Sequence, residues 1–302
     1  QPGTWKLQAG QLNVDRNMAN VISQTLNQGH VALVSIAQHL FAGNIHQDTD
    51  AVIQKAVGVN NTTLSFAADG QIDIQGQITA LLNAPLTVEM VANQIEVQAA
   101  ANIAASNVAI NATSTLSIWG NLLGQGSNPF VNVLAGVFNL FGAISANNTN
   151  GQGGKVRVSA NNIQLNPRSR IEANGQHGGE VMMVASDTIE IQNAEIQTNG
   201  SNGRGGSISI AGAQKTLLGS ATILATGQEQ GGHILIGNDA KNGTLPFSVY
   251  TDIDALTIIN AGQINPHSLA GGFIETSGQT LGLLAAINAG RGGMWLIDPN
   301  DI

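Results

Sequence analysis

The chain has 302 residues, with Lys+Arg 11 against Asp+Glu 19, a formal net charge of −8, 42% hydrophobic residues, 10% charged residues and no cysteine. This balance excludes the basic face by which a nucleic-acid binder displaces counterions. It also excludes disulfides and thiolate metal sites, and it argues against disorder, because apolar content is high and net charge per residue is small.

The first residues, QPGTWKLQAG, lack a basic stretch followed by an apolar one, so no signal peptide is read there; the expectation is a leader already removed or a piece of a longer chain. Next comes DRNMANVISQTLNQG (15–29), where Met18, Val21, Ile22, Thr25 and Leu26 follow helical spacing. Asp15 or Asn17 is placed to cap its start and Gly29 its end, which predicts a helix over about residues 16–28. Alternating strand patterns follow: HVALVSI (30–36), TTLSFAA (62–68), QIDIQG (71–76), LTVEMVA (86–92), QIEVQAA (94–100), NVAINAT (107–113) and TLSIWG (115–120). The densest apolar segment, PFVNVLAGVFNLFGAI (129–144), is too short and too often interrupted to span a membrane as a helix. It reads either as a loop or helix packed on a flank, or as an exposed interaction patch built on Phe130, Val133, Phe138 and Phe141.

From residue 151 onward a repeat emerges. Gly-Gly pairs fall at 153–154, 178–179, 205–206, 231–232, 271–272 and 292–293. Gly154, Gly179, Gly206, Gly232, Gly272 and Gly293 are the predicted turn glycines, each leading into a strand pattern: KVRVSA, EVMMVA, SISIAG, HILIGN, FIETSG and MWLIDP. Further strand patterns follow within the intervals, such as NIQLN (162–166) with RIEAN (170–174), and TIEIQ (188–192) with EIQTN (195–199). Three short strands per unit is the size of one coil of a parallel β-helix. The long interval after Gly232 predicts an insertion around 241–254. A β-sandwich also has short, evenly spaced strands, but 37 glycines and 4% aromatic residues favour the β-helix. The predicted organisation is one elongated β-helix over 1–302. It comprises a cap or junction region at 1–60, irregular coils at 61–150 and regular Gly-Gly coils at 151–302.

GGFIETSG (271–278), LAAINAGRGG (284–293) and MWLIDPNDI (294–302) together resemble the filamentous-haemagglutinin-like exoproteins of bacteria. VISQTLNQGHVALVSIAQ (21–38) and GNIHQDTDAVIQK (43–55) resemble the family's helix, strand and following segment. The resemblance covers both ends by motif and the middle by texture. It implies a right-handed β-helix, an extracellular or cell-surface location, adhesive or biofilm work, and export through an outer-membrane transporter. The family's NPNL and NPNG motifs are missing; Asn-Pro occurs only in NPF (128–130), NPR (166–168) and NPH (265–267). That departure points to a rod module rather than the secretion segment. The two ends also resemble each other. Trp5 and Leu7 lie over Trp295 and Ile297, with Leu296 between, and Leu12 over Ile302. These residues form a predicted junction, either with adjoining modules of a giant chain or with a second copy stacked head to tail, which would build a filament.

Chemistry is sparse in the sequence. The local acid pairs are Asp48/Asp50, Asp69/Asp73, Asp252/Asp254 and Asp298/Asp301. Glycoside hydrolysis uses two carboxylates, yet none of these pairs sits in a polysaccharide-degrading motif. Asp252 and Asp254 are weak candidates for a cation site, and solvated turn acids are the plainer reading; Asp298 and Asp301 read as turn formers in DPND. The histidines, His30, His39, His46, His177, His233 and His267, show no metal-ligand spacing. The expectation is a non-catalytic structural or adhesive protein without a cofactor. Its expected partners are itself, adjoining modules, and glycans or proteins of a host or neighbouring cell. The alternative is a carbohydrate-active β-helix enzyme, a lyase or hydrolase.

Overall fold

The computed structural model describes residues 2–301 apart from 59, 82, 242 and 244. Ile302 of the predicted junction, and Asn242 and Thr244 of the predicted insertion, lie outside the described residues. The chain is a parallel β-solenoid with one helix among the described residues, divided into two compact units, Gln1–Val137 and Phe138–Ile302. No helix among the described residues is long and apolar enough to cross a membrane.

Within the first unit, strands stack on three faces. His30–Ser35 pairs with Thr62–Ala68, then Leu86–Val97, whose first half pairs with Asn107–Ile118. On the second face Asn44–Gln47 pairs with Gln71–Ile74, which pairs with the second half of Leu86–Val97. The third face runs Val52–Lys55, Gln77–Ala80, Asn102–Ala105 and Asn121–Gly124. Every pairing between these strands is parallel, so identical positions of successive coils lie above one another. Strand alternation then sends every second residue inward, and the inward rows are hydrocarbon columns. Leu33, Phe66, Met90 and Ile110 form one, Ile45, Ile72, Ile95 and Leu116 a second, and Ile53, Ile78, Ile103 and Leu122 a third. Each such side chain is buried, a contribution of ~1.5–3 kcal/mol apiece against exposure.

The helix, Arg16–Leu26, starts where the sequence placed it. Asp15 is the N-cap and its side chain accepts from the Met18 amide at 2.8 Å. Ala19, Ile22 and Leu26 are buried, whereas Val21, counted on the apolar stripe, is 48% exposed. Val52–Lys55 ends its sheet, and the helix lies against it. Side chains of the helix end do the work of a missing strand: Ser23 Oγ accepts from Gln54 N at 2.9 Å, and Asn27 Oδ1 from Ala56 N and Val57 N at 3.0 and 3.1 Å. An open edge, with its row of unpaired amides, is thereby closed. Lys55 is buried beneath, its Nζ donating to the Asn60 and Pro85 carbonyls; burial holds its pKa below the ordinary lysine value.

The second unit repeats the plan. Its first face runs Lys155–Leu165 (first half), Glu180–Gln192 (first half), Ser207–Gly212, His233–Ile236, Phe273–Leu283 (first half) and Met294–Asp301. The third runs Ala143–Ser145, Arg170–Glu172, Glu195–Gln197, Thr222–Leu224, Ile258–Asn260 and Ala286–Asn288. DPND is therefore part of a strand and not the expected turn, because residues 298 and 299 continue the ladder onto Ser277 and Gly278. The insertion lies earlier than 241–254: it is the segment between His233–Ile236 and Tyr250–Ile253, and the latter is a regular ladder strand paired with Lys215–Gly219 and Phe273–Leu283. Leu245 of the insertion packs outside the coil on Ala211 and Leu235, beside Met182, Val184 and Phe273.

The apolar segment 129–144 is neither loop nor helix. It forms the strands Phe130–Leu140 and Ala143–Ser145. Val133 and Phe138, expected in an interaction patch, are core residues at 1% and 0% exposure, because alternation sends them inward along with Val131 and Leu140. Phe130 and Phe141 are half-buried, and Leu134 and Val137 face outward.

The paired glycines also play a different part from the one expected. Those at 153–154 through 271–272 have no positive φ; in the last pair only Gly292 does, at 76°. What they require is closeness. A Cβ on Gly179 would fall well inside contact with the Gly154 carbonyl oxygen, and one on Gly206 with the Gly179 oxygen. At this corner the backbone closes each coil on itself, Gly179 N to Ala173 O and Gly206 N to Thr198 O, both 2.7 Å. It also joins coil to coil, as from Gly178 N to Arg204 O at 3.0 Å. A row of asparagines runs alongside: Asn147 Oδ1 accepts from Asn174 N, Asn174 Oδ1 from Asn199 N, and Asn199 Oδ1 from Thr226 N.

Gly206→Ala is expected to lower unfolding stability by about 1–3 kcal/mol, the cost of overpacking a closed contact. Gly3→Ala, whose Cβ would meet nothing within 4 Å, leaves the urea midpoint where it is. Asn27→Ala, which strands two edge amides, costs about 1–3 kcal/mol in the same measurement.

Candidate functional site

Two outward-facing places gather polar chemistry, one in each unit. In the first unit, parallel register puts His46 beside Asp73 and Asp73 beside Glu96 on successive coils. His46 Nδ1 lies 2.8 Å from Asp73 Oδ2, and its Nε2 lies 3.2 Å from Asp48 Oδ1. Gln75 Nε2 donates to Asp73 Oδ2 at 2.9 Å. Gln98 Nε2 donates to both Asp73 Oδ1 and Glu96 Oε2, at 2.9 and 3.0 Å. Two carboxylates sharing one amide nitrogen bring their oxygens within about 6 Å of each other, the reach of two hydrogen bonds. The sequence paired Asp73 with Asp69. The structure pairs it with Glu96 instead, while Asp69 turns away to accept from Ala37 N at 2.9 Å. Only coil register, invisible to local spacing, makes that pair.

In the second unit a groove of about 500 Å³ runs over the Gly-Gly corner, where the absence of side chains leaves the surface hollow. Its floor is Gly178, Gly179, Gly205, Gly206, Gly231, Gly232, Gly271 and Gly272. Gln152, Arg204 and Gln230 stand along it, with Ser207, His233, Phe273 and Lys241 completing the lining. His233 and Phe273 are neighbours in register and meet edge to face at 4.8 Å. Lys241, from the insertion, sits 4.2 Å from the centre of the Phe273 ring. Burial lowers the His233 pKa, Asp239 opposes that and Lys241 adds to it, so the imidazole is neutral at pH 7. No carboxylate lines this groove among the described residues. The sequence reading saw its glycines as turn formers and missed the hollow that they create when stacked.

The other expected residues are placed as follows. Trp5 and Leu7 lie in Thr4–Ala9, in register with core residues Val31 and Leu33, and are half-buried; Leu12 is buried. Trp295 pairs with Ile274, Leu296 with Glu275 and Ile297 with Thr276. Trp295 and Ile297 stay 42% and 43% exposed, and Trp295 Nε1 donates to Thr276 Oγ1 at 3.1 Å. Asp252 and Asp254 flank buried Ile253. Asp254 is a turn clamp: both its oxygens accept from Ser220 N of the neighbouring coil at 3.0 Å, and Oδ1 also accepts from Leu256 N and Thr257 Oγ1. Ser220 is held there at a φ of 51°. Among the described residues no three His, Asp or Glu side chains converge as a cation site.

Burial pushes the Asp254 carboxyl upward, but its hydrogen bonds outweigh burial and hold its pKa below the ordinary value. A carboxylate with a depressed folded pKa contributes stability above its unfolded pKa and loses it as pH falls through the folded one. Asp254→Asn is therefore expected to be less stable than the parent at pH 7, with the gap narrowing below about pH 4; urea midpoints at pH 7 and pH 3 measure it.

No protein-family model and no curated protein matches the sequence. Among solved structures, the chain is similar to the crystal structure of the HMW1 secretion domain from Haemophilus influenzae. Identity is 17%, the TM-score 0.59, and the match covers 97% of this chain and 92% of that one. At that identity the likeness is one of fold.

Proposed function

We propose that this chain is an extracellular, non-catalytic β-helix of a secreted bacterial surface protein of the two-partner type, similar to filamentous haemagglutinin, serving as a stiff structural and adhesive segment. The observation that carries this reading is the parallel coil-to-coil ladder in each unit around columns rich in Ile, Val and Leu. Such a backbone gives stiffness and resists proteases, and its outer face is free to vary. The likeness to a secretion domain along nearly the whole chain supports export through an outer-membrane transporter. The missing NPNL and NPNG motifs support the rod module over the export segment. Adhesion, aggregation or biofilm work is the proposed use, with the chain's own copies, adjoining modules and cell-surface glycans or proteins as partners.

A second reading has one observation in its favour. Asp73 and Glu96 stand on adjacent coils at a separation compatible with paired-carboxylate hydrolysis of a glycan. Against it, both carboxylates are occupied by amide donors of Gln75 and Gln98.

Beads coated with the folded chain are expected to adhere to cultured epithelial cells or to aggregate bacteria, and the soluble chain to survive overnight trypsin at 37 °C. The chain is expected to release no reducing sugar from polygalacturonate or from a neutral glucan. Folded protein that neither adheres nor aggregates overturns the adhesive reading. Sugar release abolished by Asp73→Asn or Glu96→Gln replaces it with the hydrolase.

A further inference from the structure

The geometry points to the groove over the glycine corner of the second unit as a binding site for an acidic glycan, with about three sugar rings laid along the coil axis. This deepens the adhesive reading and rests on it. Stacked coils repeat at about 4.8 Å, and the groove floor is four such glycine pairs in succession. That repeat is close to the length of one pyranose residue in an extended chain. It matches an extended peptide poorly, since a strand advances ~3.3 Å per residue and repeats its side-chain direction only every second one.

The lining supplies the chemistry of an acidic sugar. Arg204 and Lys241 bring two cations to the groove, and among the described residues neither is engaged in an ion pair. Lys241 is pre-positioned, its ammonium held over the Phe273 ring. Gln152 and Gln230 present amides suited to sugar hydroxyls, each able to donate and accept. No carboxylate in the lining offers paired-acid hydrolysis, and Asp239, an acid whose charge reaches His233 of the lining, is itself buried. The floor amides are already spent on the coil-to-coil ladder, as in Gly205 N to Gln230 O at 2.9 Å and Gly178 N to Arg204 O at 3.0 Å. Recognition therefore falls to the side chains of the rim, with the flat glycine floor admitting the sugar rings.

Calorimetric titration of the whole chain tests this with four probes: trigalacturonate, its neutral methyl ester, a sulfated heparin tetrasaccharide and a pentaglutamate peptide. Trigalacturonate or the heparin tetrasaccharide is expected to bind, which of them distinguishing a carboxylate from a sulfate preference, and the methyl ester and the peptide to bind at least about tenfold more weakly. Arg204→Ala and Lys241→Ala each reduce affinity about tenfold, the worth of one charge-assisted hydrogen bond. Gln230→Trp, which fills the groove from its exposed rim, abolishes binding; circular dichroism checks that each variant is folded. The inference is overturned if neither acidic glycan binds, if pentaglutamate binds as well, or if the Arg204→Ala/Lys241→Ala double variant binds unchanged. Adhering beads without glycan binding would sink the groove alone; beads that do not adhere would sink the adhesive reading itself.

Discussion

In a coil stacked parallel on its neighbours, each backbone amide and carbonyl must find its partner one coil away, at a spacing of about 4.8 Å set by the ladder itself. Everything else in this chain adjusts to that spacing. Inward side chains must repeat in kind from coil to coil, which produces columns such as Ile171, Ile196, Ile223 and Ile259. Where a coil turns so tightly that its two arms touch, no Cβ fits, and the corner becomes glycine. The glycine pairs are a packing requirement first. Apart from that of Gly292, their φ angles are ordinary, and it is the carbonyl of the coil below that forbids a side chain.

Polar side chains on the corners extend the same logic. Asn174 and Asn199 each accept from the backbone one coil on, so a column of amides continues the ladder where the strands stop. Asp254 does this for a single turn, and Ser23 and Asn27 do it for the edge of Val52–Lys55, where a helix stands in place of a strand. A charged or polar residue in such a place is spent on structure. That is why so few of the acids singled out by local spacing are left for chemistry.

What remains for function is the outer face, and stacking decides what gathers there. Two residues about a coil apart in sequence become neighbours, so Asp73 meets Glu96 and His233 meets Phe273. The glycine corner, stripped of side chains for reasons of packing, leaves a hollow, and the residues around it include two cations and an aromatic ring. Surface recognition in this fold is thus a by-product of the ladder, with the insertion after Ile236 adding Lys241 from outside the repeat.

By itself the sequence determined the coil. Alternation of Val, Ile and Leu set the inward rows, the interval between Gly-Gly pairs set the length of a turn, and Asp15 with the Ile22–Leu26 spacing set the helix. These are local signals, and one strand or one helical turn carries each of them in full. The tertiary structure alone decided the rest, because it depends on register between residues far apart in the chain. The role of 130–140 as a core strand was not legible. A dense apolar run reads as a packed loop or helix, or as a patch, until its neighbours show which side faces in, and here Val133 and Phe138 do. The same holds for the pairing of Asp73 with Glu96, for the engagement of Asp254 by Ser220 and for the hollow above the glycines. Each is a contact between coils, and a parallel stack writes such contacts at the period of the coil, where local sequence spacing does not show them.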